Sequence, residues 1–383
     1  MLPNDIAHPR VVAKLSSRGL LRNYRTILQR APGHEIIAMV KANGYGHGDQ
    51  WVATELLQMP KLRGFGVATL EEGAQIRRDL GAKGQSTEII VFSGATPWTD
   101  EKGAFCQRYG LTPVIASDAD WAAFYRRGWP TKISYELKFN TGMNRLGISH
   151  ELARTVAAQL AKQSSSWLPA GVLTHLAEGE APNTRLSRRQ RALFQEIRGD
   201  FHARFGSVRY HMANSAAIWN FKAWGLEGLT HSVRPGLALY GIEPWEGASR
   251  AGLDHVMTIH ARVVHVLTLQ PGDYIGYGGI YQVPKKSKPV RAAIIAAGYA
   301  DGMHRELGNA GEVWVGGKLE HYLGRISMDL SAISCGPKVK AGDWVEVLGP
   351  HILPWKQAKK AGTVPYELLT SVSNRVERRN HSV

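Results

Sequence analysis

Eight short apolar runs, separated by stretches of helical periodicity, occupy residues 35–234 and constrain this chain more than any other feature. The runs are EIIAMV, RGFGVA, EIIVF, LTPVI, KISYELKF, PAGVLTH, VRYHMAN and LTHSVR. Between them lie segments such as LEEGAQIRRDL, DADWAAFYRR and ELARTVAAQLAK, whose apolar residues recur every three or four positions. Near-continuous apolar runs mark strands buried on both faces, and helices between them return the chain so that the next strand can lie parallel. The pattern predicts an α/β fold with an N-terminal (β/α)8 barrel of TIM type. At this level a doubly wound open sheet is the alternative.

The texture changes after EPWEGASRAGLD. Runs rich in β-formers follow over residues 255–348: VMTIHARVVHVLTL, VRAAIIAAGYA, EVWVGG and WVEVLG, punctuated by QPGD and KAGD turns. We therefore expect two domains in the 383 residues: a barrel over 1–243 and a mostly antiparallel β domain over 244–383. No apolar run approaches the ~20 residues of a membrane span, and the charged N-terminal segment MLPNDIAHPRVVAKL is unlike a signal peptide. Two cysteines, Cys106 and Cys335, make no disulfide framework and fit a reducing cytoplasm. The formal charge of +15 raises nucleic acid as a partner. The basic residues are scattered, however, apart from Lys285–Lys288 and Arg375–Arg379, and no zinc-finger or RRM signature accompanies them. Steering of anionic ligands or a general compositional bias accounts for the charge instead. Neither HExxH nor CxxC occurs, so no metal is expected.

The stretch AMVKANGYGHG carries the first chemical signal. Lys41 ends the first apolar run, at the end of a barrel strand where such folds place their chemistry. An amine partly desolvated there is pulled down in pKa and can act as a nucleophile or Schiff-base former; the bland alternative is a strand-end lysine reaching solvent. The glycines that follow let backbone approach a ligand, and Tyr45 offers a hydroxyl. Asn214 and Ser215 in YHMANSAAIW stand where a strand gives way to a helix, a cap-and-amide arrangement suited to an anion. Arg234 ends the eighth run and leads into Pro235, Gly236 and Leu237. Loops after strands seven and eight commonly hold phosphate in barrels. Two such loops and a lysine on strand one point to a phosphorylated aldehyde cofactor.

These motifs resemble those of the alanine racemases. MVKANGYGHG, LKFNTGMNRLG, THLA, ANSAA, VRPGLALYG, YGGIY, AGYADG and GRISMD follow one another in the family's order, over about residues 10–379. The resemblance implies pyridoxal 5'-phosphate on Lys41 and a two-base interconversion of L- and D-alanine, supplying peptidoglycan. It further implies a homodimer in which Tyr277, the second base, comes from the partner subunit, with His175 beside it. Arg234 would face the cofactor's pyridine nitrogen, with His211 hydrogen-bonded to that arginine. Tyr45, Ser215, Gly236, Leu237 and Tyr366 match the phosphate shell. Arg145 and the Met328 backbone match the substrate-carboxylate site, the latter again in trans; Tyr299 and Asp329 match the entrance. Lys138 matches a lysine that carries a carbamate. Two departures stand out: Asn140 where the family commonly has Asp, and Ser327 where it often has Cys. The alternatives are a serine or broader-specificity racemase, or, in another class, a non-catalytic pyridoxal-phosphate-binding protein.

Overall fold

The computed structural model describes residues 9–127, 133–164, 167–206, 208–250 and 252–380. Part of the N-terminal segment read against a signal peptide, residues 1–8, lies outside them. The eight apolar runs form eight parallel strands: Glu35–Met39, Leu62–Val67, Glu88–Val91, Thr112–Ile115, Glu136–Asn140, Gly171–Leu173, Arg209–His211 and Ser232–Val233. They pair in chain order, and the eighth strand pairs back onto the first. An isolated parallel bridge between Asn214 and Arg234 joins the seventh and eighth, with His231 donating to the Tyr210 carbonyl at 2.7 Å. The sheet is thereby closed, and the open doubly wound alternative is excluded. A short extra strand, Ile148–Ser149, pairs with the end of the fifth. The predicted helices lie where their periodicity placed them, including Leu70–Leu80 and Asp118–Arg127. Thr69 caps the first of these in a capping box with Glu72.

The second domain is a sheet of eight strands. Six of them, Met257–Leu269, Val290–Ile295, Glu312–Val315, Lys318–Leu323, Ser331–Ser334 and Trp344–Leu348, form a closed antiparallel circuit. The other two come from opposite ends of the chain. Val11–Leu15 pairs antiparallel with Met257–Ala261, and Glu377–Asn380 pairs parallel with Val12–Leu15. The expected boundary therefore needs one correction: Val11–Leu15, inside the 1–243 span, belongs to the β-domain sheet. Four of the five residues of VVAKL are buried, with only Lys14 exposed, and Val11, Ala13 and Leu15 join the β-domain core. Among the described residues two large apolar cores result, one filling the barrel and its helices and one filling the β domain, with a small third cluster around Leu269, Val283 and Leu323. No helix among the described residues is long and apolar enough to cross a membrane.

Candidate active site

Ten of the residues singled out in the sequence line one cavity of about 340 Å³ at the C-terminal mouth of the barrel: Lys41, Tyr45, Lys138, Arg145, His175, Asn214, Ser215, Arg234, Gly236 and Tyr366. Met39, Phe92, Ser93, Leu146 and Leu173 complete the lining.

Lys41 opens an unusual turn. Ala42, Asn43 and Gly44 have φ/ψ of 52/54, 53/50 and 60/41, and Tyr45 has φ 54. This is one turn of left-handed helix, which costs L-residues about 1–2 kcal/mol each. Tertiary contacts hold it. Ala42 N–H donates to Glu72 Oε1 at 2.8 Å, while Glu72 Oε2 accepts from Ala68 N–H at 2.7 Å. Asn43 Oδ1 accepts from Asp49 N–H at 3.1 Å. The turn sets the Tyr45 ring against Tyr240, with centroids 5.0 Å apart, and into the cavity. Gly46, expected to let backbone approach a ligand, instead lets it approach the β domain. With φ +81, it lies where a Cβ would collide with the Leu369 carbonyl of helix Pro365–Thr370. That helix supplies Tyr366, whose ring is 6.0 Å from that of Tyr45.

The loops after strands seven and eight meet as the spacing predicts. Asn214 caps the helix Ser215–Trp219 through Ala217 N–H at 3.0 Å. Ser215 Oγ accepts from Gly236 N–H at 2.9 Å and Ala238 N–H at 3.3 Å. A Cβ added to Gly236 would stand 2.5 Å from the Tyr45 hydroxyl, so glycine keeps this cradle open. Leu237 departs from its expected place: its side chain is fully buried in the β-domain core, off the cavity. Only its backbone can serve a phosphate.

Arg234 is buried, and its guanidinium is oriented by four acceptors. Nη1 donates to His211 Nδ1 at 2.6 Å; Nη2 faces the Thr174 carbonyl at 2.8 Å, the Met212 carbonyl at 3.3 Å and His175 Nδ1 at 3.5 Å. His211 lies behind Arg234, fully buried, rather than in the cavity wall. Burial, with Arg234, Lys138, Arg145 and Lys41 nearby, lowers His175 to about 2, so its imidazole is neutral. Lys41 is lowered by burial and by Arg145, against the opposing pull of Glu72. Burial and the cations Arg145, Arg234 and Lys41 bring Lys138 to about 8. Asn140 organises the loop leading to Arg145. Its Oδ1 accepts from Gly142 and Asn144 N–H at 3.1 and 3.0 Å, and its Nδ2 donates to Asn144 Oδ1 at 2.9 Å.

The remaining predicted residues are not brought to this cavity. Tyr277, Met328, Tyr299 and Asp329 sit on the β domain, with Tyr277 73 % and Met328 52 % exposed. Tyr277 borders a different, mostly apolar recess of about 440 Å³ with Ile275, Ile294, Arg325, Ser327 and Leu330. Ser327 Oγ donates to the Leu330 carbonyl at 2.6 Å, fixing the turn that carries Met328 and Asp329. Asp329 is paired with Arg375 at 2.7 Å. Sequence reasoning missed Glu72, and it missed an ionic row of buried Arg63 and Glu136 with partly exposed Glu88 in the barrel. Glu72 is legible as a capping-box residue, but its bond to Ala42 spans 30 positions, and the partners of the ionic row lie 25 to 121 positions away, out of reach of a local pattern.

Comparison with known proteins decides the family. Residues 16–244 match the alanine racemase N-terminal domain and residues 256–380 match the alanine racemase C-terminal domain. This chain belongs to the alanine racemase family. An alanine racemase of Legionella pneumophila (strain Corby) is 37% identical over 364 residues, covering 93% of this chain and 96% of that protein. The biosynthetic alanine racemase of Pseudomonas aeruginosa superposes with a TM-score of 0.85 at 30% identity, covering 98% of this chain and 100% of that one. The alanine racemase of Bartonella henselae, described with covalently bound pyridoxal phosphate, gives a TM-score of 0.83 at 29% identity, with coverage of 98% and 100%.

Proposed function

We propose that this protein is a pyridoxal-phosphate-dependent alanine racemase, interconverting L- and D-alanine. The observation that carries this reading is a desolvated lysine, an open anion cradle and a buried arginine sharing one cavity in a chain of this family. The donor set suits the cofactor. Lys41 offers the amine for its aldehyde; Tyr45, Ser215, Tyr366 and the Gly236 loop surround the end where a phosphate fits. Asn214 caps the helix that begins at Ser215, and Arg234 stands by the ring position. Bound there, pyridoxal phosphate supplies an electron sink for the charge left when an α-proton is removed.

The chain's own groups do the rest. Lys41 would hold the cofactor and, as a free amine, would take or return the proton on one face. Inversion needs a second acid/base group on the other face, within hydrogen-bond reach of the carbon. Tyr277 of the partner subunit fills that role. Its exposure on the β domain, away from its own chain's cavity, supports a two-fold dimer in which each β domain completes the other chain's site. Met328 of the partner subunit brings backbone to the substrate carboxylate, opposite Arg145. Neutral His175 borders the position this phenol would occupy. Arg234, retaining its proton, leaves the pyridine nitrogen without one. This limits charge delocalisation and so limits side reactions. Tyr299 and Asp329 narrow the entrance.

Lys138, a buried amine among Arg145, Arg234 and Lys41, is the site for a carbamate. Its neutral amine adds carbon dioxide and loses a proton, placing an anion among these cations. Bicarbonate-dependent rescue of Lys138→Ala would support the modification; a bare amine in a well-resolved crystal structure at neutral pH would refute it. Both cysteines are free and buried, in keeping with a cytoplasmic enzyme that supplies D-alanine for peptidoglycan. The whole reading is tested by the ultraviolet–visible spectrum of the purified protein and D-alanine formation from L-alanine. A cofactor-free spectrum after reconstitution, or faster racemisation of serine than of alanine, would overturn it.

A further inference from the structure

We propose that Glu136 is a positioning residue for Arg234, acting through the tautomer of His211. The proposal rests on the reading that Arg234 faces the cofactor's ring nitrogen. Glu136 begins the fifth barrel strand and has no exposed surface, yet both of its carboxylate oxygens are committed. Oε1 accepts from Arg63 Nη2 at 2.6 Å, and Oε2 faces His211 Nε2 at 2.9 Å.

A carboxylate can only accept, so the proton of a neutral His211 must sit on Nε2. That leaves a lone pair on Nδ1, which meets Arg234 Nη1 at 2.6 Å. The alternatives fail at this contact. An Nδ1–H tautomer, or a doubly protonated ring, would aim a donor at a donor and push the guanidinium off its other acceptors, the Thr174 and Met212 carbonyls. Burial lowers His211 to about 4 despite Glu136, so the ring is neutral in the physiological range.

Glu136 is a counter-ion to Arg63, because Glu88, the other carboxylate on Arg63 at 3.1 Å, is shared with Arg209 at 2.7 Å. That role uses only Oε1, and Oε2 is left for His211. What Glu136 adds is the link from this ionic row, at the closed end of the barrel, up to the arginine at its mouth. A glutamine in its place would present an amide that can turn either way, so the carboxylate's demand for a proton on Nε2 is lost and only Arg234 still opposes the other tautomer.

The test uses the full chain with Glu136→Gln, alongside the double variant Arg63→Leu/Glu136→Gln, which removes the buried pair together. Long-range 1H–15N spectra of histidine-labelled protein without cofactor report the tautomer, with His211→Asn identifying the signal. The wild type should show Nδ1 as a bare acceptor, and both variants a mixture. With pyridoxal phosphate bound, the absorption spectrum should be insensitive to pH in the wild type and should titrate in both variants. In both, kcat should fall roughly ten- to a hundredfold, the worth of one charge-assisted hydrogen bond, with KM nearly unchanged. Wild-type histidine signals in both variants would overturn the proposal. So would pH-insensitive spectra in both while Arg234→Met gives a titrating one. If Arg234→Met also leaves the spectrum flat, the reading of Arg234 fails, and the tautomer spectra alone then decide the role of Glu136.

Discussion

The barrel mouth and the face of the β domain, which the proposed mechanism joins across two subunits, are built in opposite ways. At the mouth, the arginine, the phosphate-type cradle and the lysine's turn are braced. Arg234 has four acceptors, Ser215 accepts two backbone amides, and the turn after Lys41 is pinned by Glu72 and Asn43. On the β domain, Tyr277 and Met328 stand in solvent on short turns, beside an apolar recess. Preorganisation at the mouth sets the cofactor end before anything binds. In the proposed dimer the β-domain residues gain their surroundings from a second chain. The difference teaches that a folded chain can hold one part of a site ready while leaving another part exposed.

Breaking this division most severely means separating the two bases. Lys41→Ala and Tyr277→Phe should each be nearly inactive as homodimers. After subunit exchange, random mixing makes about half of the dimers mixed, each with one intact site of two, so roughly a quarter of wild-type activity should return. No recovery after verified exchange would rule out the trans arrangement. Borohydride reduction of the holoenzyme should leave the pyridoxyl mass on the Lys41 peptide, and a label on any other lysine would remove that residue from the mechanism.

The next effect sharpens the braced half. Gly236→Ala places a Cβ against the Tyr45 hydroxyl, an overpacking that costs about 1–3 kcal/mol. Cofactor affinity should drop about ten- to a hundredfold, read by equilibrium dialysis. Adding Tyr45→Phe removes the clashing oxygen and should return part of the loss; additive losses would mean the two residues do not share the cradle.

A smaller effect concerns acid. His211 falls from 6.5 to about 4 and His175 from 6.5 to about 2, chiefly by burial. Their folded values lie below their unfolded ones, so the unfolded chain takes up protons first. The stability they provide is complete above about 6.5 and is lost as pH falls toward their folded values. Glu136, held from 4.5 to about 2 by His211 and Arg63 against burial, adds a second loss below about 4.5. The Tm of cofactor-free protein should decline in two stages as pH is lowered; a flat profile between about pH 6.5 and 4 would contradict the buried neutral histidines.

The smallest expected change is Asn140→Asp. An aspartate keeps the two backbone amides but cannot donate to Asn144, whose own amide can turn to compensate. KM for alanine should shift by no more than about threefold, one ordinary hydrogen bond or less. A larger rise would show that the Arg145 loop depends on the Asn140–Asn144 pair as drawn.

The barrel was legible because its strands are buried on both faces and therefore read as unbroken apolar runs. Phosphate-type loops were legible for a related reason: strand, cap and glycine follow one another within a few residues at Asn214–Ser215 and Arg234–Gly236. What escaped reading depends on partners distant in sequence. KLEHYL, SAIS and ERRN carry little strand signal, and their pairing is imposed by neighbours in the sheet. The left-handed turn at Ala42–Tyr45 contradicts local preference and exists only because Glu72 and Asp49 hold it. Glu136 in SYELKF looks like one polar position on a strand. Its meaning appears only when Arg63 and His211 converge on it.

The pairing of Val11–Leu15 with strands at Met257 and Glu377 sets a timetable for synthesis. The whole barrel is threaded between this strand and its first partner. At ribosomal speeds of about 5–20 residues per second, that partner emerges roughly 10–50 s later. Throughout that interval VVAKL is an unpaired, mostly apolar ribbon on a nascent chain, open to chaperones and to neighbouring polysomes. The barrel can close first, but its tether to the second domain is fastened only after Glu377–Asn380 has been made.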